Sequence, residues 1–265
     1  MDVGLQDYED QQKSIKNFFP RFPKKPSFKG KKILEFGCGR GAFSFNLANE
    51  DPEKIIAVDT NSDYIKFAKQ SLNNNFQHHK NKINFLHQDI NSWTTDLKFD
   101  YIITKEAFEH TLNLSTVLSS MHKLLNTNGL IFAGFGPLYN FFNGDHGYTR
   151  AILPWFHLIL PKNFLINRVN KNRDKKIQSI EQLGLNTYSL KKYKEIFYNS
   201  NFEVAYFQTN CTSNKLSSLT ITSSSSRGAK ATSAFASPTR TWLCVGLVGL
   251  VSAIPFKVTV VGNNE

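Results

Sequence analysis

The sequence predicts an α/β fold built on a mostly parallel sheet, and two observations carry that prediction. Residues 31 to 134 alternate short apolar runs with segments of helical spacing, the pattern of a parallel sheet covered by helices. The first run ends in a glycine loop, Ile33-Leu34-Glu35-Phe36-Gly37-Cys38-Gly39-Arg40-Gly41, and helical character resumes at Ala42. Strand, glycine loop and helix in that order mark where such a sheet holds a nucleotide-like ligand, outside the carboxyl ends of its strands. Glu35 is the unusual residue. An acid two positions before the first glycine repels a pyrophosphate but suits a ligand whose near end is positively charged.

Taken in order, Lys32 to Phe36 form the first strand and Lys54 to Asp59 the second, an apolar run that ends in an acid. Asn61 or Ser62 caps the next helix, in which Ile65, Ala68 and Leu72 recur at helical spacing. A third strand covers Ile83 to His87 and leads into Gln88-Asp89; the fourth is Phe99 to Thr104. Ser115 then caps a helix with Val117, Leu118, Met121, Leu124 and Leu125 on its apolar face; Asn128-Gly129 stops it, and Leu130 to Ala133 make a fifth strand. Beyond Gly136 the periodicity breaks, and residues 137–187, rich in aromatics, read as a lid or insertion. Ser189 caps a further helix to about Tyr198, and Phe202 to Gln208 form a sixth strand. Residues 217–241 are dominated by Ser, Thr and Ala, a composition that cannot bury enough surface to order itself. Phe256 to Val261 alternate as a closing strand does. The expected organisation is thus an N-terminal extension (1–30), a domain over 31–214 with its lid at 137–187, a flexible low-complexity segment (215–255), and a closing strand within 256–265.

Composition narrows the class. The chain of 265 residues carries a net charge of +11, which could draw nucleic acid or an anionic surface. Its lysine clusters are not interleaved with aromatics as stacking platforms are, so solvated surface is the favoured reading and nucleic acid is not. Cys38, Cys211 and Cys244 lie far apart, which indicates neither a disulfide framework nor a zinc site. The N-terminal stretch is acidic and polar, unlike a secretory signal, and the apolar run Trp242 to Phe256 falls short of the ~20 residues that span a bilayer. The expected compartment is cytoplasmic.

Four features line up at strand ends: Glu35 with the glycine loop, Asp59, Asp89, and Lys105-Glu106. In E-F-G-C-G-R-G, V-D-T-N, H-Q-D-I, F-D-Y-I-I-T and L-L-N-T-N-G-L-I the chain resembles the class I S-adenosylmethionine-dependent methyltransferases, in particular the broad small-molecule group. The resemblance covers residues 31–134 and, more weakly, 188–208. It implies a Rossmann-like methyltransferase sandwich: a mostly parallel seven-stranded sheet with helices on both faces and a lid insertion after strand five. It also implies S-adenosylmethionine as cofactor. Glu35 would hold the amino group of its methionine end. Gly37 and Gly39 would make room for the ligand, with Cys38 a small filler between them. Asp59, next to Thr60, would accept both ribose hydroxyls; Asp89 would accept from the adenine amino group, with Ile90 against the ring; and Lys105 closes the site at strand four.

A hydroxyl acceptor would also need a general base. His110 is one candidate and also a plausible structural histidine; Asp145 and His146 are others, although Asn143-Gly144 marks their segment as a turn. Glu106 and Glu109 lie three apart but lack the surrounding motif of paired acids that bind a guanidinium. The Asn/Asp-Pro-Pro-aromatic and Pro-Cys signatures of base-modifying enzymes are missing, which leaves a small-molecule, sugar or lipid-like acceptor methylated on oxygen or nitrogen. The apolar lid from Leu138 to Val169 reads as a substrate cover or as a peripheral membrane contact. Two alternatives stay open: a catalytically silent cofactor-binding or interaction module, and an NAD(P)-dependent enzyme, since Gly37, Gly39 and Ala42 also fit G-x-G-x-x-G/A. No metal is expected.

Overall fold

Short runs of Ile, Val, Leu and Phe, apolar at successive positions, suit strands buried on both faces, and five of them run parallel in this protein. The computed structural model describes residues 8, 10–11, 14–141, 143–149, 153, 155–171 and 173–209, and the backbone of 256–262. The parallel strands are β1 (Lys32–Phe36), β2 (Lys54–Asp59), β3 (Ile83–His87), β4 (Phe99–Lys105) and β5 (Leu125–Phe135). With β6 (Phe202–Gln208) and β7 (Phe256–Gly262) they form one sheet in the order β3-β2-β1-β4-β5-β7-β6. β7 is antiparallel to both of its neighbours, β5 and β6. The direction of strand succession reverses between β1 and β4, which opens a crevice at their carboxyl ends.

Alternate residues of each strand feed two separate cores. Ile33, Ile55, Ile103 and Phe132 face one side, with α1 (Ala42–Ala48) and α2 (Ser62–Asn74). Leu34, Ile56, Ile102 and Ile131 face the other, with α3 (Leu114–Leu124) and α6 (Leu190–Tyr198). Two short helices, α4 (Phe156–Ile159) and α5 (Lys162–Asn170), lie between β5 and α6 in the chain. Asn61 caps α2 by accepting from the amides of Asp63 and Tyr64, and Ser189 caps α6 by accepting from that of Lys192.

Three boundaries differ from the sequence reading. α3 begins at Leu114, so Ser115 sits inside its first turn. It also ends at Leu124, because Leu125 already pairs with Phe99 as the first residue of β5. An apolar residue at helical spacing serves a strand equally well, and Asn128, at φ 62°, turns within the strand instead of stopping the helix. Within the segment set apart as an N-terminal extension, residues 15–28 pack into the fold. Phe18, Phe19, Phe22 and Phe28 are buried, and the rings of Phe19 and Phe22 meet Phe132 of β5 edge-on. Burial of each such ring stabilises the fold by ~1.5–3 kcal/mol. The low-complexity segment 215–255 lies outside the described residues.

Candidate active site

A cleft of about 720 Å³ opens where β1, β2 and β4 end. Glu35, next to last in β1, lines it yet is only 3% exposed, and the Ser44 hydroxyl of α1 donates to its Oε2. Burial pushes this carboxyl up to about 8; the Ser44 hydroxyl opposes the shift and the nearby Asp59 adds to it. Lys105 also opposes the shift, but burial outweighs it.

The glycine loop is shaped by protein neighbours. At Gly37, with φ 72°, a Cβ would stand 2.5 Å from that of Ala107 beyond β4, and at Gly41, with φ 84°, one would stand 2.6 Å from the Phe85 ring of β3. The loop amide of Gly39 donates to Asp59 Oδ2 at 2.8 Å, and that of Asn61 to Oδ1 at 2.8 Å. Asp59 is thereby held facing the cleft, and each oxygen keeps a further lone pair for a ligand hydroxyl. Cys38 and Thr60 also line the cleft; burial pushes the Cys38 thiol up, so it is unreactive packing. Lys105 lines it too and pairs with Glu106 at 2.9 Å.

Asp89 and Ile90 are not brought to this wall. Asp89 is exposed and accepts from the amide of Asn91, while Ile90 is buried in the core beneath; the adjacent Gln88 faces the cleft instead. These residues lie beyond the end of β3, in a turn closed by the Ser92 amide donating to the Asp89 carbonyl at 3.2 Å.

The opposite wall comes from the turn after β4. Phe108 to His110 form a single tight helical turn, fastened from far along the chain by buried Asn186. The Asn186 side-chain amide donates to the carbonyls of Phe108 (2.6 Å) and Thr111 (2.9 Å), its backbone amide donates to the carbonyl of Glu109 (2.9 Å), and the Tyr193 hydroxyl donates to its Oδ1 (2.7 Å). His110 Nδ1 lies 2.9 Å from the Gly184 carbonyl. A carbonyl only accepts, so Nδ1 carries the proton and Nε2 keeps its lone pair. Burial lowers the His110 pKa, which keeps the ring neutral. His146 stands edge-on to it, centroids 5.1 Å apart, and is fixed by the Pro137 carbonyl at 3.1 Å. Both rings line the cleft. Asp145 does not: its Oδ2 accepts from the amide and hydroxyl of Thr149 at 3.1 and 2.5 Å, so it shapes the turn.

Glu109 was weighed in the sequence only as half of a guanidinium pair. It is 2% exposed and lines the cleft; Oε1 accepts from the Gly136 amide at 2.9 Å, and Oε2 has no hydrogen-bond partner among the described residues. Burial pushes it up to about 8. Glu106, the other half, lines the cleft too but is paired with Lys105. Gln11 and Tyr64 also reach the cleft, and no local motif flags either. Among the described residues, no group of three or more His, Cys, Asp or Glu is placed to hold a metal ion.

A parallel sheet with a glycine turn after β1, a buried acid before that turn and a second acid ending β2 is the arrangement that the resemblance to class I S-adenosylmethionine-dependent methyltransferases implies. The family described as "methyltransferase domain" matches residues 27–134. Malonyl-[acyl-carrier protein] O-methyltransferase 2 of Ilyobacter polytropus is 32% identical over 106 residues, 39% of either chain. A ubiquinone biosynthesis O-methyltransferase of Coxiella burnetii is 31% identical over 137 residues, 51% of this chain and 55% of that one. The chain thus spans about half, or less, of the length of these curated relatives. The crystal structure of magnesium protoporphyrin IX methyltransferase from Synechocystis PCC 6803 with bound S-adenosylmethionine superposes with a TM-score of 0.53. That match covers 99% of this chain and 85% of that one at 12% identity, a likeness of fold.

S-adenosylmethionine is bound in the Synechocystis structure. The residues present fit it. Glu35 offers a buried carboxyl to the cofactor's amino group, Asp59 offers two fixed oxygens to ribose hydroxyls, and the cleft volume lies within the range of small-molecule sites. The dinucleotide alternative fails at Glu35, whose carboxyl underlies the turn where a pyrophosphate would lie.

Proposed function

We propose that this protein transfers a methyl group from S-adenosylmethionine to a small-molecule acceptor, on oxygen or nitrogen. The observation that carries the reading is one continuous cleft with two chemically different walls, Glu35 and Asp59 on one side and Glu109, His110 and His146 on the other. The bound cofactor supplies an electrophilic methyl on a sulfonium. The protein's part is to orient the acceptor, exclude water and take up a proton.

Orientation alone is worth ~7–11 kcal/mol of a barrier when reacting atoms are held ~3–3.5 Å apart. His110 suits the proton: it is neutral, its tautomer is set by Gly184, and its Nε2 is an acceptor. Glu109 Oε2 suits recognition: pushed up to about 8, the carboxyl is protonated at neutral pH, and with Oε1 accepting from Gly136 its Oε2–H would donate to a lone pair of the acceptor. Asp89 stands in this reading as an outlying contact to the adenine end.

Two measurements test the reading. Calorimetric titration with S-adenosylmethionine should show binding that Asp59→Ala weakens more than about tenfold. Transfer of label from the methyl of the cofactor to a metabolite extract should then yield a labelled small molecule. Binding with no transfer to any extract would instead identify a cofactor-binding module; no binding would remove the reading altogether.

A further inference from the structure

The helices that follow β5 leave large apolar side chains in water. Leu153, Ile159 and Phe164 are 56%, 73% and 51% exposed, and Leu158 and Trp155 are also exposed. They fall within twelve residues of chain, around α4, Pro161 and the first turn of α5. The inward side of the same helices is buried, with Leu165 at 0% and Val169 at 7%, so the exposed residues form an outward face of a packed element. Scattered exposed apolar residues need no explanation, but a contiguous group of this kind marks an interaction surface.

Its electrostatic setting selects the partner. Residues 146–173 contain no acid and five basic residues, Arg150, Lys162, Arg168, Lys171 and Arg173. Asp174, Lys175 and Lys176 follow, and Lys162, Lys171, Arg173, Asp174, Lys175 and Lys176 are exposed. Exposed Asp174 lies among these cations and Glu181 near Lys162, but the rim stays basic on balance; protruding apolar residues beside such a rim match the headgroup region of an anionic bilayer, where apolar side chains enter and lysines remain at the phosphates.

The face is also tied to the cleft. His157 of α4 donates to the carbonyl of Tyr139 at 2.6 Å, and Arg168 of α5 donates to that of Thr149 at 3.0 Å. Tyr139 follows Pro137 closely, and Thr149 follows Tyr148; Pro137 and Tyr148 both line the cleft. We infer that α4 and α5 dock this protein on an anionic membrane surface, with the cleft mouth at the interface and an amphiphilic acceptor drawn from the bilayer. The nature of the acceptor rests on the methyl-transfer reading; the docking itself does not.

The test is co-sedimentation of the full chain with phosphatidylcholine vesicles, with and without about one quarter phosphatidylglycerol. Binding to the anionic vesicles alone is expected, falling as salt rises. Ile159→Asp and Phe164→Asp should each weaken it at least about tenfold. Lys175→Glu and Lys176→Glu should each weaken it about fivefold. Brominated lipid should quench tryptophan fluorescence in the wild type and much less in Trp155→Phe, which reports insertion without perturbing the fold.

Three results would overturn the inference. One is sedimentation indifferent to lipid charge. Another is binding unchanged in both aspartate variants while they still bind S-adenosylhomocysteine. The third is light scattering that shows a dimer dissolved by those variants, since the face would then belong to a second copy. Docking that persists in a chain unable to bind S-adenosylmethionine would leave the membrane surface standing and remove only the acceptor half.

Discussion

The two walls of the cleft solve different problems. On the cofactor side, each acid is held by atoms close by in the fold: Ser44 on Glu35, and the amides of Gly39 and Asn61 on Asp59. On the acceptor side, Glu109 keeps an oxygen unpaired among the described residues, and the turn carrying it is fastened by Asn186, more than seventy positions away. The first wall is finished before any acceptor arrives. The second retains an unmet hydrogen-bonding demand that an acceptor can satisfy, which suggests where specificity resides.

The contrast can be broken most directly at His110. His110→Ala should lower the methyl-transfer rate by ~10²–10⁴-fold while leaving the cofactor Kd unchanged; a parallel loss of cofactor affinity would show that the walls are not independent. Next comes Glu35→Gln, expected to weaken cofactor binding by roughly 30-fold in calorimetry. Glu35 is pushed up to about 8, so at neutral pH it must release a proton to meet an ammonium group. Affinity in the wild type should therefore rise by up to about tenfold per pH unit between about pH 6 and about 7.5, with proton release visible in buffers of different ionisation enthalpy. Glu35→Gln should abolish both effects. Asp59→Ala should cost more than about tenfold, and the outlying Asp89→Ala less than about threefold, in the same titration.

The smallest effect concerns stability. The folded Glu109 carboxyl, near 8, lies above its ordinary value of 4.5. Its contribution to stability is therefore fully present below about pH 4.5 and is lost as pH rises through about 8, at up to roughly 1.4 kcal/mol per pH unit. The melting temperature of the ligand-free protein should fall from about pH 5 to about pH 8, and Glu109→Gln should flatten that fall. Parallel curves for the two proteins would show that Glu109 is not desolvated as described.

The two walls were also unequally legible. Glu35 and Asp59 stand at the ends of apolar runs, where local pattern and chemistry coincide, so their register could be read directly. β1 to β4 were legible for the same reason. Asp89 was less legible: it follows β3 in a turn, where no pleat fixes which residue faces the cleft, and Gln88 lines it. Glu109 had no local signature, since its burial depends on Gly136 and Asn186 closing over the turn. The N-terminal phenylalanines were unreadable in the same way, as their partner Phe132 comes from β5. Where contacts join distant segments, pattern within one segment carries little information.

The sheet order has a consequence for how the chain is made. β6 pairs only with β7, and β7 lies between it and β5, although it is synthesised last of the seven strands. The ribosome must therefore deliver residues 256–262 before β6 has any neighbour in the sheet, and until then the edge of β5 is open. Such an edge is a template for pairing with other nascent chains, so the interval between synthesis of β6 and β7 is when this protein is most exposed to misassembly and to chaperones that shield unpaired strands.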